Sequence, residues 1–302
     1  MSALVVVQPG MLSLVQDLGR PGWSSIGVSS SGAFDRVSLA LANRLVGNPE
    51  DSAAIETLLG GLSLQAQSAM TLAVTGASGP MELLRGSGSG PRLQSVDRRA
   101  PLHLMAGDRI SIGNPERGLR TYVAIRGGID VEPVLGSRSH DQLSGLGPAV
   151  LAQGDLLPVG PQPVDSIAVD YVPEHTLPAA LEVIPGPHHR NETGLLGADA
   201  LDVLQSAAYL VEASSNRIGV RLLGPALPRE PGELASAPMR PGAIQVPGDG
   251  QPIILGPDAP TTGGFPVLGT LTPAAFSAIG QARPGDLLRF RVLRNRTISA
   301  AE

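Results

Sequence analysis

Short apolar runs separated by turn residues dominate the pattern along this chain. Residues 62–67 alternate strictly between apolar and polar side chains, as expected for a strand with one buried face. Residues 5–7, 53–59 and 71–75 are apolar runs of strand length. The same pattern predicts strands in the second half of the chain, at residues 181–184, 209–212, 219–223, 243–246 and 252–255.

Helical periodicity is confined to short segments. In residues 35–46, the side chains of Val37, Leu41 and Leu45 lie on one helical stripe. Asp35 is a natural N-cap and Gly47 is a natural stop, so we predict a helix between them. Residues 200–206 predict a second short helix.

A weak repeat occurs three times. Residues 104–113 (LMAGDRISIG), 151–160 (LAQGDLLPVG) and 282–291 (ARPGDLLRFR) each place a Gly-Asp pair before an apolar run. We interpret each copy as a turn that opens a strand. The last two copies lie where we expect a domain to close.

The length of 302 residues predicts two domains. Prolines cluster between Pro158 and Pro187, which places the boundary near Asp165 and gives domains 1–165 and 166–302. With 38 Gly, 28 Pro and 3% aromatic residues, the chain favours many short strands over long helices. The segment RGSGSGPR at residues 85–92 lacks the lysine of a phosphate loop, so we predict a flexible turn there.

Composition excludes several kinds of chemistry. The chain has no cysteine, and all 22 of its basic residues are arginine. Disulfides, thiolate metal sites, Schiff bases, biotinyl-lysine and Walker-type phosphate loops are therefore excluded. The net charge of −5 with scattered arginines argues against nucleic acid. No apolar run reaches the ~20 residues that span a bilayer, and the start does not resemble a signal peptide, so we expect a cytoplasmic protein without a membrane partner.

The stretch at residues 242–270 concentrates hydrogen-bonding side chains. It contains two strand-length runs and a long loop, and such loops carry function more often than core packing. Its glycines let a ligand approach the backbone closely. The candidate residues here are Gln245, Asp249, Gln251, Asp258, Thr261, Thr262, Gly263 and Gly264.

Two glycine-punctuated loops, residues 16–22 and 29–35, flank the single tryptophan, Trp23. We expect at least one of them to face a ligand, and the candidate residues are Gln16, Arg20, Ser31 and Gly32.

Other charged residues and histidines have the following interpretations. Arg217 and Arg221 are the candidate anion contacts of the second half. Glu56 interrupts an apolar run, and we interpret it as an outward-facing strand residue in preference to a buried functional carboxylate. The adjacent His188 and His189 cannot easily face one metal from a regular element.

Several of these segments together resemble one family. They are LVVVQPGMLSLVQDLGRPGW near the start, SSSGAFD followed by LANRLVGNPE, RGGID with VLGSRS, and GAIQVPGDGQPI with TTGGFP. In this order they resemble the larger subunit of the bacterial 5-oxoprolinase and allophanate hydrolase subunit 2 group, also called KipA-like. They also resemble the carboxyltransferase region of urea carboxylase. The resemblance runs from Val5 to Arg291, although Pro260 and Phe265 replace the Gln and Tyr that the family often has.

The resemblance implies a mainly β fold of two cyclophilin-like β-barrel domains with a few short helices. It also implies the larger subunit of a heteromeric hydrolase that opens 5-oxoproline to glutamate with ATP. The implied partners are a smaller KipI-like companion subunit and a LamB/YcsF-like third subunit, in a heterotetramer or larger assembly. Two alternatives stay open. One is the carboxyltransferase subunit of a biotin-dependent urea or amide carboxylase, and the other is a non-enzymatic antagonist of a KipI-like kinase inhibitor.

Site roles follow from these chemistries. The hydrolase needs ATP, Mg²⁺ and a bound intermediate, and the carboxylates of Asp249 and Asp258 suit a hydrated metal. Biotin enters only in the carboxylase alternative and must arrive on another polypeptide. We expect Asp258→Ala and Thr262→Ala to abolish activity without disturbing the fold. The catalytic candidates are Asp258, Thr261, Thr262 and Gln245, and the substrate- or phosphate-binding candidates are Arg20, Gln16, Ser31, Gly32, Arg217, Arg221, Gln251, Gly263 and Gly264.

Overall fold

The chain divides into two structural units. The computed structural model describes residues 2–86, 92–173, 178–189, 195–232 and 234–293. The first unit comprises Met1–Leu177 and Gly280–Ala282, and the second comprises Pro178–Ile279 and Arg283–Glu302. The division after Leu177 lies beyond the boundary predicted near Asp165. A single boundary also does not describe a first unit that includes residues 280–282.

The first unit contains two antiparallel sheets. The six-stranded sheet has the order β11-β1-β4-β9-β6-β7, and the five-stranded sheet has the order β2-β3-β10-β5-β8. A 3₁₀ helix, Ser24–Ile26, and one α-helix, α1 (Arg36–Leu45), complete the described elements. The strands are β1 (Ala3–Pro9), β2 (Leu12–Gln16), β3 (Ala54–Leu58), β4 (Leu62–Ala66), β5 (Met70–Ser78), β6 (Met81–Arg85), β7 (Arg92–Ser95), β8 (Leu102–Leu104), β9 (Arg109–Ile112), β10 (Arg117–Ile125) and β11 (Leu156–Pro158).

Strand β10 is buried on both faces. Val123 and Ile125 belong to a large apolar core to which strands of both sheets contribute. Tyr122 and Ala124, on the opposite face, pack in a second core with helix α1. Neighbouring strand residues point to opposite faces, so one strand serves both cores. Burial of each large aliphatic side chain contributes ~1.5–3 kcal/mol.

Helix α1 confirms the predicted helix, and its predicted apolar stripe is confirmed in part. The carboxylate of Asp35 accepts a hydrogen bond from the Ser38 amide at 3.0 Å, as an N-cap residue does. Within the predicted stripe, Leu45 is buried and Leu41 packs against the core, but Val37 is exposed. The rest of the buried apolar face consists of Leu39 and Ala42, which the predicted stripe did not include.

The second unit is built around one eight-stranded sheet, with the order β20-β13-β14-β17-β16-β19-β12-β21. Its edge strands β20 and β21 are separated in sequence only by Arg289, so the sheet nearly closes on itself. Strands β15 and β18 form a separate pair. The elements are β12 (Leu181–Pro185), α2 (Ala200–Ser206), β13 (Tyr209–Val211), β14 (Gly219–Leu223), β15 (Ala237–Pro238), β16 (Ala243–Gln245), β17 (Ile253–Leu255), β18 (Thr262–Gly263), β19 (Val267–Leu271), α3 (Pro273–Ile279), β20 (Leu287–Leu288) and β21 (Phe290–Val292).

The three Gly-Asp copies form the same turn. The glycines Gly107, Gly154 and Gly285 have φ angles of 87°, 91° and 93°, values that disfavour other residues. In each copy, the aspartate accepts a hydrogen bond from the amide three residues earlier. These bonds run from Met105 to Asp108 at 2.9 Å, from Ala152 to Asp155 at 2.7 Å, and from Arg283 to Asp286 at 2.7 Å. The predicted turns before β9, β11 and β20 are therefore confirmed.

The mainly β fold class predicted from the sequence, with β-barrel domains and few short helices, is confirmed. Several observed elements had no counterpart among the predicted ones: strands β2, β6, β7, β8, β10, β15, β18 and β19, and helix α3. The flexible turn predicted at residues 85–92 lies mostly outside the described residues. Within the described ranges, no helix is long and apolar enough to cross a membrane.

Candidate functional site

A buried ion pair fixes the base of the candidate loop in the second unit. Arg217 precedes β14, and Asp258 begins the loop after β17. Nε of Arg217 lies 2.7 Å from Oδ2 of Asp258, and Nη2 lies 3.0 Å from Oδ1. Their side chains are 2% and 0% exposed. This two-point geometry is the strongest form of an Arg–carboxylate contact.

The backbone reinforces this ion pair. The Asp258 amide donates to the Arg217 carbonyl at 3.2 Å, and the Gly256 amide donates to the Ile218 carbonyl at 2.9 Å. A Cβ at Gly256 would overlap the Arg217 carbonyl, so glycine is required there. Arg217 and Asp258 therefore hold the loop in place. Both Asp258 oxygens accept from arginine, which argues against a metal ligand role for this carboxylate.

The Thr-Thr-Gly-Gly segment extends from this fixed base. Strand β18 pairs with β15, and the side chain of Thr262 is exposed. Gln245 is buried beneath the segment, where its amide nitrogen lies 3.3 Å from the Met239 sulfur. A Cβ at Gly263 would approach that amide nitrogen to 2.8 Å. Three predicted site residues, Gln245, Thr262 and Gly263, are thus brought together.

Other candidates of the second unit have different surroundings. The side-chain amide of Gln251 accepts from the Gly224 amide at 2.9 Å and donates to the Gly224 carbonyl at 3.1 Å, a backbone-bridging role. The exposed Asp249 accepts from the Gln251 amide at 3.0 Å. Arg221 is exposed on β14. Across the described ranges, no group of three or more His, Cys, Asp or Glu residues could hold a metal.

In the first unit, the carboxylate of Asp17 organises a buried polar cluster. It accepts hydrogen bonds from the hydroxyls of Ser137 and Ser139, each at 2.6 Å. It also accepts from the amides of Gly19 at 2.7 Å and Arg138 at 2.6 Å. Four donors on one carboxylate hold the loops around residues 17 and 137 together.

The predicted ligand residues of this unit belong to the same cluster. Gln16 donates to the His140 carbonyl at 2.8 Å, and Ser31 donates to the same carbonyl at 3.1 Å. Arg20 donates to the Ser139 carbonyl and, at 3.3 Å, to the Val134 carbonyl. All three side chains are at most 1% exposed. Their contacts are those of a scaffold, and ligand binding by them stays a prediction.

Sterics favour glycine at position 32 in this cluster. Its φ is +92°, and a Cβ would lie 2.7 Å from the Leu18 carbonyl carbon. The loop that carries Ser31 therefore packs tightly against the loop that carries Arg20.

The interpretation of Glu56 as an outward-facing residue is wrong. Its side chain is 4% exposed, and its carboxylate accepts from the Tyr122 hydroxyl at 2.7 Å and the Phe34 amide at 3.0 Å. Nε of Arg120 lies 3.4 Å from its second oxygen. Burial raises the pKa of Tyr122 well above its ordinary value, and the Glu56 and Asp35 carboxylates raise it further. The phenol is therefore a neutral donor to Glu56 at ordinary pH.

Sequence reasoning missed the partners of these residues. No strand was predicted around Ser137, Ser139 and His140. The only signal for this region was the motif VLGSRS at residues 134–139, which contains both serines. Tyr122 and Arg120, the partners of Glu56, lie in an apolar segment without a recognisable motif.

The chain is mainly β, its loops are held by buried hydrogen bonds, and its lack of lysine and cysteine excludes covalent catalysis by those residues. The chain belongs to the carboxyltransferase domain family, subdomain A and B, which matches residues 26–292. The family resemblance seen in the sequence motifs is thereby confirmed.

Relatives of two sizes share this similarity. The chain is 35% identical to the C subunit of the 5-oxoprolinase of Escherichia coli (strain K12) over 293 residues, covering 95% of this chain and 90% of that protein. It is 32% identical to the urea amidolyase of Saccharomyces cerevisiae over 314 residues, covering 96% of this chain but 16% of that protein.

Solved structures show the same family similarity. A crystal structure of TTHA0988 superposes with a TM-score of 0.82 at 32% identity, covering 96% of this chain and 55% of that chain. The urea carboxylase of Kluyveromyces lactis superposes with a TM-score of 0.82 at 31% identity, covering 97% of this chain and 27% of that chain.

Proposed function

We propose that this chain is the larger subunit of a heteromeric, ATP-dependent amidohydrolase that opens 5-oxoproline to glutamate. The observation that carries the proposal is the match to the C subunit of a 5-oxoprolinase over 90% of the length of that protein. The urea amidolyase of Saccharomyces cerevisiae matches over 16% of its length, because the similar region is one part of a much longer polypeptide.

In this proposal, the exposed part of the Thr-Thr-Gly-Gly segment faces the substrate. Thr262 supplies a hydroxyl, and the glycines expose backbone amides for hydrogen bonds to a small amide. The Arg217–Asp258 pair sets the position of this segment, and Gln245 supports it from beneath. Positioning of this kind lowers a barrier only if the loop is rigid, which the buried ion pair provides.

ATP and Mg²⁺ belong to the proposal at the level of the complex. They would supply phosphoryl activation of the unreactive amide. The carboxylate of Asp258 does not fit the metal role assigned from the sequence, because Arg217 contacts both of its oxygens. In this proposal, the role of Asp258 is therefore to hold the loop through Arg217.

A second function is supported by the family itself. The family is a carboxyltransferase domain, and urea carboxylase shares the fold at a TM-score of 0.82. A carboxyltransferase would use the same loop to orient the acceptor nitrogen of urea or a similar amide. Because the chain lacks lysine, biotin would arrive on another polypeptide.

The proposed partners are a smaller KipI-like companion and a LamB/YcsF-like third subunit. Supporting this, the relative in Escherichia coli is named as a subunit, and TTHA0988 continues well beyond the region shared with this chain. The third possibility, a non-enzymatic antagonist of the companion, stays a prediction.

The test is reconstitution of the three proteins with 5-oxoproline and ATP. We expect ATP-dependent release of glutamate, and we expect Thr262→Ala to reduce it at least ~10-fold, the size typical of losing a positioned hydrogen bond in the transition state. Ser214→Ala is the matched control, since it removes another exposed hydroxyl of the second unit. A requirement for a biotin carrier would replace the hydrolase proposal with the carboxyltransferase. Complex formation without any turnover would support the antagonist.

A further inference from the structure

An irregularity in strand β10 creates a need for hydrogen bonds. The pairing of β10 with β5 shifts register between Arg117 and Thr121. Such a bulge removes backbone groups from the regular ladder. The affected amides are those of Leu119 and Arg120, which lie in the buried interior of the first unit. Buried backbone donors without partners destabilise the folded state, so another group must satisfy them.

The side chain of Gln281 satisfies them. Its Oε1 accepts from the Leu119 amide at 2.9 Å and the Arg120 amide at 3.0 Å. Its Nε2 donates to the Arg120 carbonyl at 2.9 Å. Gln281 is 3% exposed and belongs to the first unit, although more than a hundred residues separate it from Leu177 in sequence.

Two glycines provide the space for this amide. A Cβ at Gly118 would lie 2.8 Å from Oε1 of Gln281, and a Cβ at Gly76 would lie 3.2 Å from Nε2. Both glycines have positive φ, at +76° and +84°. The bulge, the glycines and the glutamine therefore form one matched arrangement.

The fourth hydrogen bond of Gln281 reaches the start of helix α1. Nε2 donates to Oδ2 of Asp35 at 2.8 Å. The same carboxylate caps the helix through the amide of Ser38 at 3.0 Å and its hydroxyl at 2.5 Å. Gln281 therefore holds the N-cap residue of the helix that follows the loop at residues 29–35.

A second series of contacts connects Asp35 back to residues 280–281. The Asp35 amide donates to the Tyr122 hydroxyl at 2.8 Å, and that hydroxyl donates to Glu56 at 2.7 Å. Glu56 pairs with Arg120 at 3.4 Å, and Nη1 of Arg120 donates to the Gly280 carbonyl at 2.6 Å. The contacts thus form a closed ring that begins and ends at residues 280–281.

We infer that residues 280–282 act as a latch on the first unit, and that Gln281 is the positioning residue for residues 31–35 and for the first turn of helix α1. When Gln281 is docked, the bulge of β10, the cap at Asp35 and the Glu56–Tyr122 pair form one cooperative unit. When it is released, Asp35 loses one of the hydrogen bonds that hold it at the start of helix α1, while Ser31 keeps its hydrogen bond to the His140 carbonyl. The latch does not depend on the reaction proposed above.

Hydrogen exchange on the native protein tests this without any substitution. The amides of Leu119 and Arg120 bond to Gln281, whereas those of Phe34 and Asp35 bond to Glu56 and Tyr122. We expect all four to exchange through one opening with the same free energy and the same weak dependence on low urea, as in a local unit. Separate opening free energies for the two pairs would overturn the latch.

The variant Gln281→Leu sharpens the test, because it keeps most of the volume and removes all four hydrogen bonds. We expect exchange at Phe34, Asp35, Ser38 and Leu39 to accelerate at least ~10-fold, with core amides of β4 and β9 unchanged. An equal acceleration at every protected amide would indicate general destabilisation and contradict the proposal. If this variant does not fold, the native exchange experiment decides the matter alone.

Gln251→Leu is the matched control. It removes two hydrogen bonds of another glutamine side chain that bridges backbone groups, the half-buried one that contacts Gly224 in the second unit. We expect it to leave exchange at Phe34 and Asp35 unchanged. Acceleration at those amides by the control would also count against Gln281 as the specific positioning residue.

Discussion

Each unit contains a buried arginine–carboxylate pair, and the two pairs are built differently. In the second unit, Arg217 and Asp258 meet at two points, 2.7 and 3.0 Å apart. In the first unit, Arg120 and Glu56 are 3.4 Å apart, and Glu56 takes its close contacts from Tyr122 and the Phe34 amide. The Arg120 guanidinium carbon also lies 4.5 Å from the centroid of the Phe34 ring.

The difference separates two ways of stabilising a buried charge. Asp258 is paired with one cation at two points, so removal of either partner takes away the opposite charge that faces the other. The charge of Glu56 is stabilised by several groups, so substitution of any one partner removes only part of that stabilisation. The ion pair holds one loop, whereas the network joins strands, a helix cap and residues 280–282 of the first unit.

The largest expected effect is that of Asp258→Ala. It leaves Arg217 buried without its carboxylate, and we expect the free energy of unfolding to fall by ~3–5 kcal/mol. Urea unfolding followed by circular dichroism measures this. The structure thereby replaces our expectation from the sequence that this substitution leaves the fold intact.

A double variant provides the control for this prediction. Arg217→Met with Asp258→Leu removes both charges together, and we expect it to be more stable than Asp258→Ala alone. A free energy of unfolding for Asp258→Ala within ~0.5 kcal/mol of the native value would show that the pair contributes little.

A smaller effect is expected at alkaline pH. Burial raises the pKa of Tyr209 in the second unit to about 12 and raises that of Tyr122 well above its ordinary value. Above pH ~10, the unfolded chain releases these protons first, so stability falls as pH rises toward the folded pKa values. The slope is roughly 1.4 kcal/mol per pH unit for each tyrosine while the two states differ by one proton.

Substitution of each tyrosine tests the origin of this loss. Tyr209→Phe and Tyr122→Phe should each flatten the decline of stability between pH 10 and 12 in urea unfolding. The Tyr122→Phe variant should also lower stability at neutral pH, because Glu56 and the Asp35 amide lose a hydrogen-bond partner. A decline unchanged in both variants would assign the loss to other groups.

The smallest expected effect on stability is that of Thr262→Ala. The side chain is exposed on the short strand β18, so we expect a change within ~0.5 kcal/mol. Thermal unfolding measures this beside the activity assay of the reconstituted complex. If Thr262→Ala lowered both activity and stability, the result would contradict separate roles for Thr262 in substrate binding and for the ion pair in holding the loop.

Local patterns determined much of this protein. Residues 200–206 and 219–223 form α2 and β14 as predicted, because their periodicity is set by which side chains must be buried. The three Gly-Asp turns also follow from local chemistry, since the aspartate bonds only three residues away. The absence of lysine and cysteine excluded covalent catalysis by those residues from the composition alone.

Long-range partners decided the rest. The apolar run around Glu56 did not reveal how its carboxylate is stabilised, because its partners Phe34 and Tyr122 lie on other elements. The pairing of Arg217 with Asp258 and the insertion of Gln281 into the bulge of β10 likewise join residues far apart in the chain. Sequence patterns report the periodicity of burial within an element, whereas the partner of a buried polar group depends on which elements the fold brings together.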